Sequence, residues 1–279
     1  MTRNPRNFCA DCHNSTCLPY CQPVSMPFTL AHPIAALPLW WGSRHRLDLP
    51  ALMVGSLVPD ITYYLHLQPR PNIGHTLPGI LQEGLPWGLA LLLVGEYLLK
   101  FPCLKLLPRP LMPSVGPYRL WSLSRFLMVV ASLALGAVSH IVWDSFTHQW
   151  GWSVVQWPWL MSTVGPLPLY AWLQYSGGVF GLLGLALWGY LSWTASLPEH
   201  PNLRAIRSAP RKLWITALSS ITVLVLYLTY TAVTLPYASN DVKSLVVRAV
   251  IGIVSGGSLG LLLYATVYWL WFGMKRLRQ

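Results

Sequence analysis

The run GAVSHIVWDSFTHQWGW places His140, Asp144 and His148 four residues apart. Four residues advance an α-helix by about 400°, so the three side chains share one helix face. An imidazole and a carboxylate one turn apart can hold one metal ion, or the carboxylate can orient the imidazole that does. Ionisable groups on an apolar helix are costly to bury in a membrane and mark functional sites. The structural alternative is a polar helix end capped by water, with His148 merely interfacial. Three further groups precede these: His32 in FTLAHPIAALPL, Asp60 behind Pro59 in GSLVPDITYYLHL, and His75 behind Gly74 in NIGHTLPG. A lone His on an apolar face is more often structural, so the weight lies in the order of the four motifs within one chain.

The elements that must position these residues are membrane helices. The chain has 279 residues, 54% hydrophobic and only 10% charged, against about 25% charged in a soluble domain. Such a chain cannot cover a globular surface with polar groups, so its apolar excess faces the lipid bilayer. The expected fold is all-α, a polytopic transmembrane helix bundle with five or six spans. A span needs about 20 apolar residues. The runs Leu85–Phe101, Phe126–Phe146, Tyr170–Trp193, Leu213–Leu235 and Leu245–Phe272 qualify or nearly do. Leu49–Leu67 is a sixth candidate, weakened by Pro59 and Asp60, and reads as a span, a re-entrant segment or a helix buried against protein.

Orientation follows from Lys and Arg, which collect on the cytoplasmic side. Lys100, Lys105, Arg109, Arg119 and Arg125 surround one loop, Arg204, Arg207, Arg211 and Lys212 fill another, and Lys275, Arg276 and Arg278 end the sequence. The opposite loops, 147–169 and 236–244, hold only Lys243. The expected location is therefore the plasma (bacterial inner) membrane, multi-pass, with a cytoplasmic C-terminus. Arg3, Arg6, Arg44 and Arg46 favour an inside N-terminus and so six spans. Six regular spans, however, put His32 on the wrong face for it to meet the other groups. The net charge of +11 does not point to nucleic acid, because the basic residues lie between apolar runs where topology signals belong.

The run from Met26 (MPFTLAHPIAALPL), then GSLVPD, GHTLPGIL, GAVSHIVWDSFTH and LPLYAWLQY, closely resembles domain-of-unknown-function family 4184 of uncharacterised bacterial membrane proteins. The resemblance covers about residues 26–195 of an integral membrane domain spanning 26–279. That family is in turn distantly similar to inner-membrane metal-dependent hydrolases, which carry an early His, a Pro-Asp-x-Asp-His stretch, a His-Arg-Gly-x-Thr-His-Ser stretch and Ser-His-x-x-x-Asp. The similarity implies metal ligands at His32, Asp60, His75, His140 and Asp144, with His148 added from the shared helix face. It implies hydrolysis of a phosphoester or lipid-like substrate at a divalent-metal site near the outer membrane face. The chain departs from the hydrolase pattern in two places. Ile61, Thr62 and Tyr63 follow Pro59-Asp60, and Gly74-His75-Thr76-Leu77 keeps a single His. The losses argue against two metals and leave a single-metal site. Imidazole and carboxylate ligands suit zinc, or iron or manganese with less preference. Such an ion activates water as the nucleophile, and Asp60 or Asp144 is the candidate catalytic general base.

Other features have plainer readings. Cys9, Cys12, Cys17 and Cys21 lie in residues 1–25, which read as a disordered or mis-started N-terminal extension. Gly252, Gly256 and Gly260, and Gly177 with Gly181, form small-residue stripes that pack helices within the chain or join a homodimer. Glu96 and Lys100 fit an i,i+4 ion pair. The competing function is a non-enzymatic membrane protein, a scaffold or small-solute channel, whose His and Asp residues only pack helices.

Overall fold

The computed structural model describes residues 29–67, 73–107, 118, 122–196, 211–234 and 242–277. The N-terminal extension 1–25 and its four cysteines lie outside the described residues. Within them the chain is helical apart from one short antiparallel hairpin, Thr163–Val164 with Leu167–Pro168.

The first described segment reads as a hairpin and not as a span. A 3-10 turn, Thr29–Ala35, accommodates Pro33 and leads into α1 (Ala36–Gly42). The descent stops at Ser43. Arg44 N–H donates to Trp41 O and His45 N–H to Trp40 O, a Schellman closure. Arg44 and His45 take φ of 54° and 63° there. The chain then turns back as α2 (Leu49–Gly55), with Asp48 capping its start through Ala51 N–H and Pro50 in its first turn. A 3-10 turn at Val58–Asp60 admits Pro59 and leads into α3 (Ile61–His66), which ends at Leu67 in the left-handed region. The sixth span expected at Leu49–Leu67 is thus broken at Ser56 and Pro59 into three short pieces. No run in it is long enough to cross a bilayer.

Five helices among the described residues are long and apolar enough to cross a membrane. They are α4 (Leu77–Leu104), α5 (Leu123–Thr147, followed after a turn by the short α6, Trp152–Gln156), α7 (Leu169–Ala195), α8 (Arg211–Thr234) and α9 (Val242–Leu277). The chain is a multi-pass membrane protein. The first span starts eight residues earlier than its apolar run suggests. A π turn at Ile80–Gly84 carries the helix into Pro86, whose ring removes one ladder hydrogen bond. A second π turn, Val94–Leu99, holds Glu96, which pairs with Lys100 at 2.6 Å.

The hairpin is inserted among the spans. Ala31 and Ile34 lie over Gly181 and Gly184 of α7. On the returning leg α2 runs beside α5 at backbone distance. A Cβ on Gly55 would lie 2.2 Å from Leu133 O, and one on Gly136 2.2 Å from Leu52 O. Only glycine permits that approach. Ala51, Leu92, Val129 and Leu133 close the core beneath it. Asp48 marks the tip: its N–H donates to Ser132 Oγ at 2.9 Å, and its carboxylate accepts from Tyr118 Oη at 2.9 Å and from Arg125.

The glycine stripes are used inside the chain. Gly252, Gly256 and Gly260 of α9 meet Thr229, Val225 and Ile221 of α8, where an added Cβ would lie 2.4–2.6 Å from a backbone Cα. Gly177 faces Trp143, and Gly181 faces Ala31. The close α8–α9 contact is capped by buried Arg248, which donates to Val233 O at 2.9 Å and to Ala232 O at 3.4 Å. A cation on the last carbonyls of a helix satisfies unpaired acceptors and opposes the helix dipole.

Candidate metal centre

Three chain segments converge where the hairpin legs meet the end of α5. The 3-10 turn at 29–35 supplies His32, the turn at 58–60 supplies Asp60, and the 3-10 turn Ile73–His75 just before α4 supplies His75. The last two turns of α5 supply His140 and Asp144, and His148 follows directly. Because the hairpin returns to the end it started from, His32 lies on the same side as the other groups. The conflict raised by six regular spans disappears.

The distances are those of a ligand cage. His75 Nε2 lies 3.2 Å from Asp60 Oδ1 and 3.4 Å from Asp144 Oδ2. His140 Nε2 lies 3.2 Å from Asp144 Oδ2 and 3.7 Å from Asp60 Oδ2. Four ligands at 2.0–2.1 Å from a tetrahedral zinc are separated by about 3.3 Å. Two triplets of donor atoms gather within 4.8 Å of one another: His32, His140 and Asp144, and Asp60, His75 and His140. His140 belongs to both.

The partners of His140 set its tautomer. Its Nδ1 lies 2.8 Å from the Ser56 carbonyl, which can only accept, so Nδ1 carries the proton. Nε2 points into the cage and is the ring nitrogen open to a metal ion. A backbone carbonyl holding the far nitrogen of an imidazole is the usual support of a metal-ligating His. His32 Nδ1 lies 2.7 Å from the same Nδ1 and faces it as an acceptor. Its own proton is then on Nε2, 3.5 Å from Asp144 Oδ1.

Two buried atoms in this cluster, His140 Nε2 and Asp144 Oδ1, make no hydrogen bond. An unsatisfied buried polar atom costs about 1–3 kcal/mol, more when charged. Asp60 contrasts with Asp144: Thr29 Oγ1 donates to its Oδ2, and His75 faces its Oδ1. Burial opposes ionisation of Asp60, yet His140 and His75 hold its carboxyl below the usual carboxylate range. Burial likewise opposes a charge on His75, but Asp144 and Asp60 outweigh it and raise its pKa to about 10. Burial, reinforced by His140, lowers that of His32 to about 3.

His148 stands apart from both triplets. Its Nδ1 lies 3.1 Å from Thr147 Oγ1, 3.2 Å from Asp144 O and 3.5 Å from Asp144 Oδ1. Gln174 Nε2 of α7 lies 3.3 Å from its Nε2. His148 therefore flanks Asp144 from outside the cage. The sequence motifs missed four contributors. Thr29 sits three residues before His32, and Gln174 interrupts an apolar run, so both left a trace. Ser56 acts through its backbone, which no side-chain pattern reveals. Trp150 lies 6.4 Å from His75 and 5.0 Å from His148, ring centre to ring centre, and as one of 15 tryptophans carries no distinguishing sequence signal.

No curated protein and no solved structure matches the chain. One family model does, over residues 26–266. That range includes the hairpin, every residue of the cluster and most of α9, so it runs well past the motif-rich part that ends near residue 195. The model is described as a domain of unknown function (DUF4184), and the chain belongs to that family.

Proposed function

We propose that this protein is a metal-dependent membrane hydrolase acting on a phosphoester or lipid-like substrate. One observation carries the reading: the buried atoms His140 Nε2 and Asp144 Oδ1 make no hydrogen bond, although they lie within 3.2–3.5 Å of opposite partners in a cage of donors spaced as metal ligands are. The donor set, two imidazoles and two carboxylates, fits a divalent ion, best zinc, then iron or manganese. Asp60, His75, His140 and Asp144 would hold it. Bound there, such an ion polarises water and the scissile ester.

The chain's own groups divide the remaining work. The Ser56 carbonyl keeps the His140 lone pair aimed inward, and Thr29 fixes the Asp60 carboxylate. With both Asp60 oxygens engaged, Asp144 Oδ1 is the better general base, free to take a proton from attacking water. His32 and His148 both lie 3.5 Å from that oxygen and would hold the carboxylate in place. The hydrolysis balances simply: water adds to the ester centre, the ester bond breaks, and the protons of water end on the two products.

The lysine and arginine bias supports a cytoplasmic C-terminus in the bacterial inner membrane, with the site at the outer face. A homodimer would need a face other than the glycine stripes, which are occupied within the chain. The deciding experiment is metal analysis of protein purified without added metal. About one equivalent of zinc, iron or manganese is expected in the wild type, and none in His140→Ala. A metal-free wild type that also fails to bind added zinc refutes the proposal and favours the scaffold or channel.

A further inference from the structure

The site end of the molecule carries an aromatic surface that the ligand cage does not use. From Gln149 to Pro168 the chain has no charged residue, and no Lys or Arg lies between Arg125 and Arg204. Gly151 folds this segment back along α5, since a Cβ there would lie 2.4 Å from Ser145 O. The Ser145 and Ser153 hydroxyls, 2.8 Å apart, fasten the return. The fold-back leaves Trp152 and Trp159 66% and 59% exposed in the segment that follows Trp150. Across His75, Leu77 and Leu81 are 70% and 65% exposed. Trp150 joins this surface to the cage through its contacts with His75 and His148.

Two physical points narrow what this surface receives. Indole rings settle at the membrane–water boundary, where one edge is wet and the face is in lipid. The surface therefore sits at the depth where an acyl chain meets its headgroup. A soluble, multiply charged phosphate would call for Arg or Lys as partners, and none is present along this segment. His75, with 15% of its side chain exposed, is the least buried of the four cage residues, so the opening lies at His75, between Tyr63 and Trp150.

We infer that the substrate is a membrane-resident amphiphile with a headgroup ester of low charge, drawn from the leaflet at the site end past Trp150, its acyl chain lying on the Trp152 and Trp159 surface. The inference rests on the hydrolase reading for its chemistry and on the aromatic surface for its substrate class. The test uses two probes with one scissile bond, hexadecyl 4-nitrophenyl phosphate and methyl 4-nitrophenyl phosphate. The zinc- or manganese-loaded full chain is held in phosphatidylcholine nanodiscs. The hexadecyl probe is expected to be cleaved with kcat/KM higher by about 100-fold, the effect of burying three to four methylene groups. In Trp152→Ser/Trp159→Ser that ratio is expected to fall about tenfold, with bound metal per chain unchanged as evidence of folding. Equal rates for the two probes, or an unchanged ratio in the double variant, overturn the inference. Cleavage of neither probe counts against the hydrolase reading, and binding then decides the substrate class separately. The nitrophenyl group of the hexadecyl probe must quench the Trp150 emission, obtained as wild type minus Trp150→Phe, at concentrations where the methyl probe does not. Equal quenching, or none, overturns the amphiphile.

Discussion

Two buried ionic clusters sit at opposite ends of the inserted hairpin. At its tip, Asp48 accepts hydrogen bonds from Ala51 N–H, Tyr118 and Arg125. At its mouth, Asp60 and Asp144 face four histidines, yet His140 Nε2 and Asp144 Oδ1 stay without a hydrogen bond. Both clusters join the hairpin to α5. Eight residues separate Ser132 at the tip from His140 at the mouth, about 12 Å of helix. The tip cluster is complete and explains itself as a fastening. The mouth cluster is buried, charged and incomplete, a costly state unless another group completes it. Charge and burial alone would rank the two as equals. Satisfaction of each atom separates a fastening from a site.

The sharpest way to break this comparison is Gly136→Ala, because the added Cβ would strike Leu52 O and push α2 away. We expect a loss of about 3 kcal/mol, at the top of the overpacking range. Metal should also be lost, since Ser56 moves off His140. Gly256→Ala, on the α8–α9 contact, should lower the thermal midpoint comparably but leave metal in place. Equal metal loss in both variants would show that global unfolding, and not the hairpin, governs the site.

Asp48→Ala should cost about 2–3 kcal/mol in denaturation experiments, below the fully buried range because Arg125 is 37% exposed and keeps its solvent. Its folded fraction should retain stoichiometric metal. Metal loss ahead of unfolding would mean that the two clusters act as one.

His148→Ala should weaken zinc binding by about 10- to 100-fold without abolishing it, as for a residue that orients a ligand. Competition with a chelator measures this. A complete loss of binding would make His148 a ligand instead. The smallest effect is one of pH. The pKa of His75 is raised to about 10 in the fold, so its contribution to stability is full below about pH 6.5 and is lost as pH rises towards 10. His32 is lowered to about 3, so its contribution is present above about pH 6.5 and is lost as pH falls towards 3. Thermal midpoints of the metal-free protein should therefore peak near pH 6.5, and zinc should flatten the alkaline side. A midpoint that climbs steadily from pH 6.5 to 9 without metal would remove the ion-pair account of His75.

The five spans and the His140/Asp144 pair are legible in the sequence for a physical reason: apolar runs and helical spacing are local signals, whereas His32, Asp60 and His75 join the set only through the resemblance to the hydrolases. His140 and Asp144 share a face because four residues nearly complete a turn, and no tertiary information is needed to see it. The hairpin was not legible. Its descending leg, Thr29–Gly42, is too short to register as a span, and its tight turn uses Arg44 and His45 where glycine would have announced it. Asp48 went unnoticed because its charged partner is 77 residues away. The glycine stripes pointed to packing within the chain or to a homodimer, and the structure uses them within the chain, a choice that spacing alone does not make.

The hairpin also separates the order of synthesis from the order of assembly. Its legs emerge from the ribosome before α5 and α7, on which they pack, exist. Until residues 123–195 are made, Asp48 has no Arg125, and Gly55 has no Leu133 backbone to lie against. A chain stopped before residue 123 should therefore leave residues 29–67 open to protease in microsomes, while one extended beyond residue 195 should protect them. The part of the molecule that builds the mouth of the site is thus made before the spans on which it packs and must wait for them. Its handling during translation is expected to limit the yield of functional protein.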